Sequence, residues 1–453
     1  MKHDLLFCND CHAVGETDVN FAENFELKTL FRRFSVDEET LNYFTNVLLN
    51  PLTDADEIIY RREILDDFRK NPDMLMKLER VFKNLILMKN KNIRERAMGI
   101  GGRIETVLSR NAQCLKNLLI ELKTGAGIVS QMTAQSRGLK KLIDRMREIS
   151  FSSEIEDMIL QCDGFACERQ NDNSVLFIKT NETAKICDID IVCAAKGFKA
   201  NGTKKAIYNP QNKEYSDYAM KYIADRLFDT EKNIYNEFEG ITKQLSFYDT
   251  ALGYIKCIKD KGYPLCLPDI NQDGETAIYS LYDALMCISV ANVVANDVLC
   301  MEHGSVIYGE NNSGKTVYLR SLGLAQIMFQ AGLPVTAQSG TMPVRSGIYS
   351  LFSSSENCNA NHDISGRFED EARGIKNFFD KIDKDSLVLL NEPFQTTDYD
   401  EGSECLYYIL KSISTVGAMW FVVTHLQQLV GRLEYDDTVK LIRMTSEHII
   451  DVK

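Results

Sequence analysis

The chain has 453 residues, more than one simple core holds at roughly 100–200 residues per domain, so two to four domains are expected. Hydrophobic residues make up 44% and charged residues 26%, an ordinary soluble balance, and no apolar run approaches the ~20 residues that cross a bilayer. A net charge of −13 without a long Lys/Arg run argues against avid nonspecific binding of nucleic acid, while leaving room for a local basic patch.

The N-terminus, MKHDLLFCNDCH, has a short, interrupted apolar stretch and no cleavage-site pattern, so it does not read as a secretory signal. Thirteen cysteines scattered from Cys8 to Cys405, an odd number, fit reduced thiols in the cytoplasm. Cys8, Cys11 and His12 spell CxxCH. Haem attachment would need export, and a zinc site would need a second ligand pair that no sensible spacing offers, so the triplet reads as chance.

To about residue 150 the texture is helical. Asn71-Pro72-Asp73 predicts a helix start with proline at the first helical position, and Leu75, Leu78, Phe82 and Leu85 follow at helical spacing. Leu108, Leu115, Leu118 and Leu122 mark a second helix, expected to break near Gly125 and Gly127. Between 160 and 212 the runs Ser174–Thr180 and Ile186–Cys193 are β-rich and suggest a small β insertion with a turn at Asn181-Glu182. Leu227, Ile234, Phe238, Ile241, Leu245, Leu252 and Ile255 then form one stripe of a long helix, packed in a bundle or acting as a lever. From Cys266 on, β-like runs at Ser305–Tyr308, Ile348–Phe352, Ser386–Leu390, Met419–Thr424, Val439–Met444 and His448–Val452 alternate with helical stretches, the pattern of an α/β domain with a mainly parallel sheet.

Chemistry enters at Gly309-Glu310-Asn311-Asn312-Ser313-Gly314-Lys315-Thr316, which satisfies GxxxxGK[ST] between a strand and a helix that continues with Val317. Glycines there let backbone N–H groups curl around phosphates at a helix N-terminus; Lys315 would reach the β- and γ-phosphates of ATP, and Thr316 would coordinate Mg2+. Ser386–Glu392 (SLVLLNE) is an apolar strand ending in the Walker B position. Asn391 stands where an aspartate supports Mg2+, and Glu392 where a glutamate orients the attacking water. An amide brings no charge to the ion, so slower hydrolysis or weaker Mg2+ binding is expected. His425, after the strand Phe421–Thr424, suits a γ-phosphate sensor.

These residues resemble the MutS family. Gly309–Leu324 is similar to its GPNMGGKS loop and following helix, Gln330–Ala337 to its turn into a VPA-type strand, Ser365–Glu371 to its STFxxE signature, Thr397–Gly402 to its D-loop, and Thr424-His425 to its closing Thr-His pair. Asn50–Phe68 and Phe25–Phe31 resemble segments of the family's helical core. The resemblance implies a homodimer joined through the ATPase domains, composite ATP sites, and movement passed through long helices. Three departures stand out. The signature serine that approaches the partner's nucleotide falls at Gly366 or Arg367, the adenine-stacking aromatic is Val293, and the chain has no room for the mismatch-reading and connector domains. Phe21-Ala22-Glu23 spells the mismatch-wedge FxE but reads as chance.

The expected fold is multidomain α and α/β: a helical core and lever domain over 1–159, a clamp-like β insertion over 160–212, a returning lever helix over 213–265, and an ABC-like P-loop ATPase over 266–453. Catalysis is expected from Glu392, His425 and Lys315. Nucleotide would be held by 309–317, and Mg2+ by Thr316, Asn391 and Glu392. Two partner classes stay open. One is DNA other than mismatched duplex, for which Lys196, Lys199, Lys204 and Lys205 are candidate clamp-tip contacts or plain solvated lysines. The other is a protein gated by ATP. No membrane role is expected.

Overall fold

A computed structural model describes residues 4–8, 13–98, 104–130, 134–155, 166–169, 175–178, 213–300, 303–352, 364–394 and 398–452. The chain divides into two compact units, one of Met1–Leu5 with Lys70–Leu245, the other of Leu6–Arg69 with Ser246–Lys453. Residues 6–69 and 246–265, assigned on the sequence to helical domains, therefore pack with the P-loop.

The described residues of the unit Lys70–Leu245 are mostly helical. Its helix Pro72–Met98 starts at the proline foreseen, because proline's fixed φ suits the first turn and its missing N–H is not needed there. Leu75, Leu78, Phe82 and Leu85 are all buried, as their spacing predicts. Helix Ile104–Ser130 runs on through Gly125 and Gly127, contrary to the expected break. A Cβ on Gly125 would lie 2.7 Å from Val81 Cγ1 and 2.8 Å from Met146 Cε, so this glycine serves close helix packing. The long stripe also needs correction: it divides between helices Lys213–Glu237 and Ile241–Asp260, separated at Gly240, whose φ of +93° ends the first. Of the β insertion, Val175–Ile178 is a strand, paired antiparallel with Ala166–Arg169. Residues 186–193 and the four candidate lysines lie outside the described residues.

In the other unit the strands, numbered along the whole chain, are β1 (Glu16–Thr17), β4 (Asp269–Asn271), β5 (Thr276–Leu281), β6 (Asn296–Cys300), β7 (Gly304–Gly309), β8 (Ser339–Pro343), β9 (Gly347–Phe352), β10 (Leu387–Asn391), β11 (Met419–Val423), β12 (Val439–Met444) and β13 (Ile450–Val452); β2 and β3 are the pair already given. The main sheet has the order β1-β9-β10-β11-β7-β12-β13 and is parallel except at β12–β13. Val306, Ile307, Val388, Leu389, Leu390, Val422 and Val423 are fully buried, the continuous apolar run of strands covered on both faces. Each such side chain contributes roughly 1.5–3 kcal/mol by leaving water. Helix Lys315–Gln330 lends Leu319, Ile327 and Phe329 to this core, while Leu406, Leu410 and Ile413 of helix Tyr399–Val416 pack with Val388, Leu390 and Val422. A second sheet, β4-β8-β5-β6, was not foreseen.

The N-terminal segment joins this core. Phe21 stacks on Phe25 at 4.1 Å, and Phe25 tilts against Phe352 at 5.1 Å. Phe21 is thus a core residue, in line with reading FxE as chance. Among the described residues no helix is long and apolar enough to cross a membrane.

Candidate functional site

Parallel strands deliver their C-terminal ends to one edge of a sheet, where loops can gather polar groups without disturbing the core. Here β10, β11 and β7 are neighbours, and Asn391, Val423 and Ile307 lie level across them. The loops that follow carry Glu392, His425 and, from the 309–316 turn, Asn311, Asn312, Gly314, Lys315 and Thr316 into one cleft of about 830 Å3.

The P-loop needs its glycines. Gly309 and Gly314 have φ of +148° and +93°, and a Cβ on Gly309 would sit 2.4 Å from the Met444 carbonyl oxygen. Asn312 at φ +61° is the left-handed position that asparagine tolerates. Lys315 opens the helix, almost wholly buried, and its Nζ donates to the carbonyls of Glu310 (2.7 Å) and Gly309 (3.2 Å). Burial lowers its pKa below the ordinary lysine value, and the Glu392 charge opposes that shift. Ser313 Oγ is buried with no hydrogen-bond partner among the described residues. Asn311, Asn312, Gly314, Thr316 and Val317 also line the cleft.

Thr316 Oγ1 donates to Asn391 Oδ1 at 3.1 Å, bringing the two expected magnesium-binding side chains together. Glu392 adopts φ +52°, its N–H bonded to the Val423 carbonyl, and its Oε1 lies 2.8 Å from His425 Nε2. Beyond it Phe394, also left-handed at φ +61°, donates its N–H to Glu371 Oε2 at 2.6 Å, so helix Ile364–Phe379 anchors the loop after the Walker B strand. Gly366 and Arg367 lie in that helix, at residues whose side chains are outside those described, as is Thr397. Asp398 caps helix Tyr399–Val416 by accepting from the N–H groups of Asp400 and Glu401. Among the described residues no cluster of three His, Cys, Asp or Glu side chains is placed to hold a metal by itself.

Of the rest of the cleft the sequence singles out only Val293, which the family resemblance puts at the base-stacking position. Residues 281–296, from β5 to the start of β6, wall one part of it, with Val293 among them. His448 wall another; it lies in the left-handed turn between β12 and β13, not in a strand as expected. Asn296 secures that turn, donating Nδ2–H to the His448 carbonyl (2.9 Å) and accepting the Ile450 N–H (3.0 Å). A Cβ on Gly314 would come within 3.3 Å of His448 Nδ1. Only the Thr445–Glu447 break between two apolar runs hinted at this turn.

Residues 305–451 match MutS domain V. The chain is 24% identical over 366 residues to Endonuclease MutS2 of Streptococcus sanguinis (strain SK36), covering 78% of this chain and 43% of that protein. Endonuclease MutS2 of Aquifex aeolicus (strain VF5) is 24% identical over 328 residues, 69% of this chain and 42% of the relative. With that of Streptococcus gordonii, identity is 34% over 146 residues, 31% of this chain and 18% of the relative. The chain spans less than half the length of these curated relatives, and the endonuclease activity in their name stays with them. Residues 305–451 are thus a MutS domain V, and over its C-terminal part this chain is homologous to the MutS2 proteins of the MutS family.

Proposed function

We propose that this protein binds and hydrolyses ATP with Mg2+ at the strand-end cleft, and that nucleotide drives a clamp or lever movement of a homodimer on DNA structures other than mismatches. The reading is carried by the convergence of Lys315, the Thr316–Asn391 pair and the Glu392–His425 pair in one cleft. The residues fit a triphosphate: a buried ammonium held by two carbonyls gains from an anion, and Ser313 Oγ is a buried group still wanting a partner. They also fit a hard cation held jointly with phosphate oxygens, since the Thr316 hydroxyl and Asn391 carbonyl are oxygen donors of low charge. Bound there, with Glu392 nearby, Mg2+ would neutralise charge on the β- and γ-phosphates.

The chain's own groups divide the remaining work. Lys315 binds and orients the phosphates, while Glu392 takes up a proton from, or aligns, the attacking water. His425 holds the Glu392 carboxylate until nucleotide arrives. Because Asn391 is neutral, turnover is slower or Mg2+ binding weaker than with an aspartate; an Asn391→Asp protein that gains neither would refute this.

A second reading, an ATP-gated module whose partner is a protein, is favoured by the net charge of −13. One experiment separates the two: ATP binding and turnover by the wild type and Lys315→Ala, alone and with branched, mismatched and plain duplex DNA. Turnover that needs Lys315 and rises with one DNA structure supports the DNA-acting ATPase. Lys315-dependent binding with turnover indifferent to every DNA supports the protein partner, and no nucleotide binding by the wild type removes both.

A further inference from the structure

The cleft wall formed by residues 283–294 is held by side chains outside the P-loop, the Walker B strand and the Thr424-His425 pair. Asp283, almost fully buried, caps helix Ala284–Ser289 by accepting the Met286 N–H at 2.8 Å. Both of its oxygens are also taken by Arg320, whose Nε donates to Oδ2 (2.9 Å) and Nη2 to Oδ1 (3.0 Å). Arg320 lies on the helix that Lys315 opens, so the phosphate-facing helix carries the fork that fixes where this wall starts. Its remaining Nη1 donates to Glu26 Oε1 at 2.6 Å, which braces the fork from the N-terminal segment.

Two more bonds fix the far end. Lys261 Nζ donates to the Ile288 carbonyl at 2.7 Å, and Tyr263 Oη accepts the Val293 N–H at 3.1 Å. Val290–Val294, which line the cleft, thus run between an arginine fork on one side and a lysine and a tyrosine on the other. A planar guanidinium bound bidentately to a carboxylate sets distance and angle together, which a lysine ammonium cannot. A wall ordered before the ligand arrives spares the binding step that ordering cost.

We propose that Arg320, Lys261 and Tyr263 are positioning residues for the nucleoside end of the cleft, holding Val290–Val294 where base and sugar lie against them. This rests on the nucleotide reading above and on the base-stacking position that the family resemblance gives Val293, with the phosphates left to the P-loop. Variants of the positioning residues therefore weaken nucleotides that carry a base and spare a ligand made of phosphates alone.

The test is calorimetric titration of the full chain with Mg2+-ATP and with Mg2+-tripolyphosphate, for wild type, Arg320→Lys and Tyr263→Phe, with folding checked by circular dichroism. Loss of the single part-buried hydrogen bond or of the fork should weaken ATP about three- to tenfold, with tripolyphosphate changed by less than about twofold. Unchanged ATP affinity in folded variants, or equal loss for both ligands, overturns the proposal. Should Arg320→Lys fail to fold, Tyr263→Phe decides alone, since it removes one hydroxyl and keeps the ring. If the wild type binds neither ligand, the nucleotide reading fails instead.

Discussion

The two units put their buried polar side chains to different use. Around the sheet, Ser313, Lys315 and Asn391 are buried beside a cleft, and Ser313 Oγ and the Lys315 ammonium keep capacity for a ligand. Between the helices of the other unit, Glu231 accepts from Asn92 Nδ2 at 2.8 Å and pairs with Arg96. Arg96 also donates to Asn111 Oδ1 (3.1 Å), and Asn111 Nδ2 donates to the Ala224 carbonyl (2.9 Å). One set leaves polar atoms open beside a cleft; the other bonds mainly to itself. Buried polar groups that satisfy one another can fix the register between helices, whereas polar atoms left open beside a cleft can serve a ligand.

The largest expected effect breaks the closed set. Glu231→Ala leaves Arg96 and Asn92 without their carboxylate and should cost about 3–5 kcal/mol of unfolding free energy, read by urea titration. ATP affinity, measured below the unfolding transition, should not change. A comparable loss of ATP binding would show that the two sets act as one.

Lys315→Ala should do the reverse. Loss of the phosphate-facing ammonium weakens ATP by about 2–5 kcal/mol, at least some 30-fold in Kd. Stability should fall by little, because the cost of burying the charge offsets what the Nζ hydrogen bonds and the buried side chain contribute. A lysine whose folded pKa lies below its unfolded value binds its proton more tightly when unfolded, so at neutral pH its charge opposes folding. A loss of stability as large as that expected of Glu231→Ala would contradict this.

The same shift gives ATP binding an alkaline limit. Triphosphate favours the protonated lysine and raises its pKa from the lowered free-state value. Affinity is then full below the free-state pKa and falls as pH climbs from there toward the bound value, so the decline starts below 10.5, the ordinary lysine value. Measured Kd for ATP should rise in that range for wild type and stay level for Lys315→Ala. A wild-type profile as flat as the variant's would remove Lys315 from the phosphates.

What could be read in the sequence follows the same division. The P-loop, the Walker B strand and His425 are each written in one short stretch, and each follows or ends a strand with an apolar centre, Val306-Ile307, Leu387–Leu390 and Met419–Val423. The structure gathers them at one sheet edge, as the α/β pattern implied. Arg96 and Glu231 are 135 residues apart, and Asn296 grips a turn 152 residues away, so neither pairing leaves a local trace. Strand β1 is two residues long and joins the sheet only because β9, more than 300 residues later, offers an open edge. Strands β4 and β8 pair across a shorter but still non-local gap, Asp269 with Thr341, and three-residue β4 has no period to recognise. Glycine misled twice: Gly240 does end a helix where an unbroken stripe was expected, while Gly125 and Gly127 do not.

Those last two glycines give the smallest effect and the sharpest contrast. Both lie in helix Ile104–Ser130, where alanine gains roughly 1 kcal/mol over glycine from backbone entropy alone. A Cβ on Gly127 meets nothing within 4 Å, so Gly127→Ala should stabilise by roughly 0.5–1 kcal/mol. At Gly125 the same methyl would press on Val81 at 2.7 Å and on Met146 at 2.8 Å, and overpacking of this kind costs about 1–3 kcal/mol. The propensity gain offsets only part of it, and Gly125→Ala should be neutral to destabilising by about 2 kcal/mol. Parallel urea titrations of the two variants compare one substitution, in one helix, two residues apart. Equal stabilisation at both positions would mean that the helices near Gly125 are not in close contact; a gain at 127 with none at 125 makes that glycine a packing residue rather than a helix breaker.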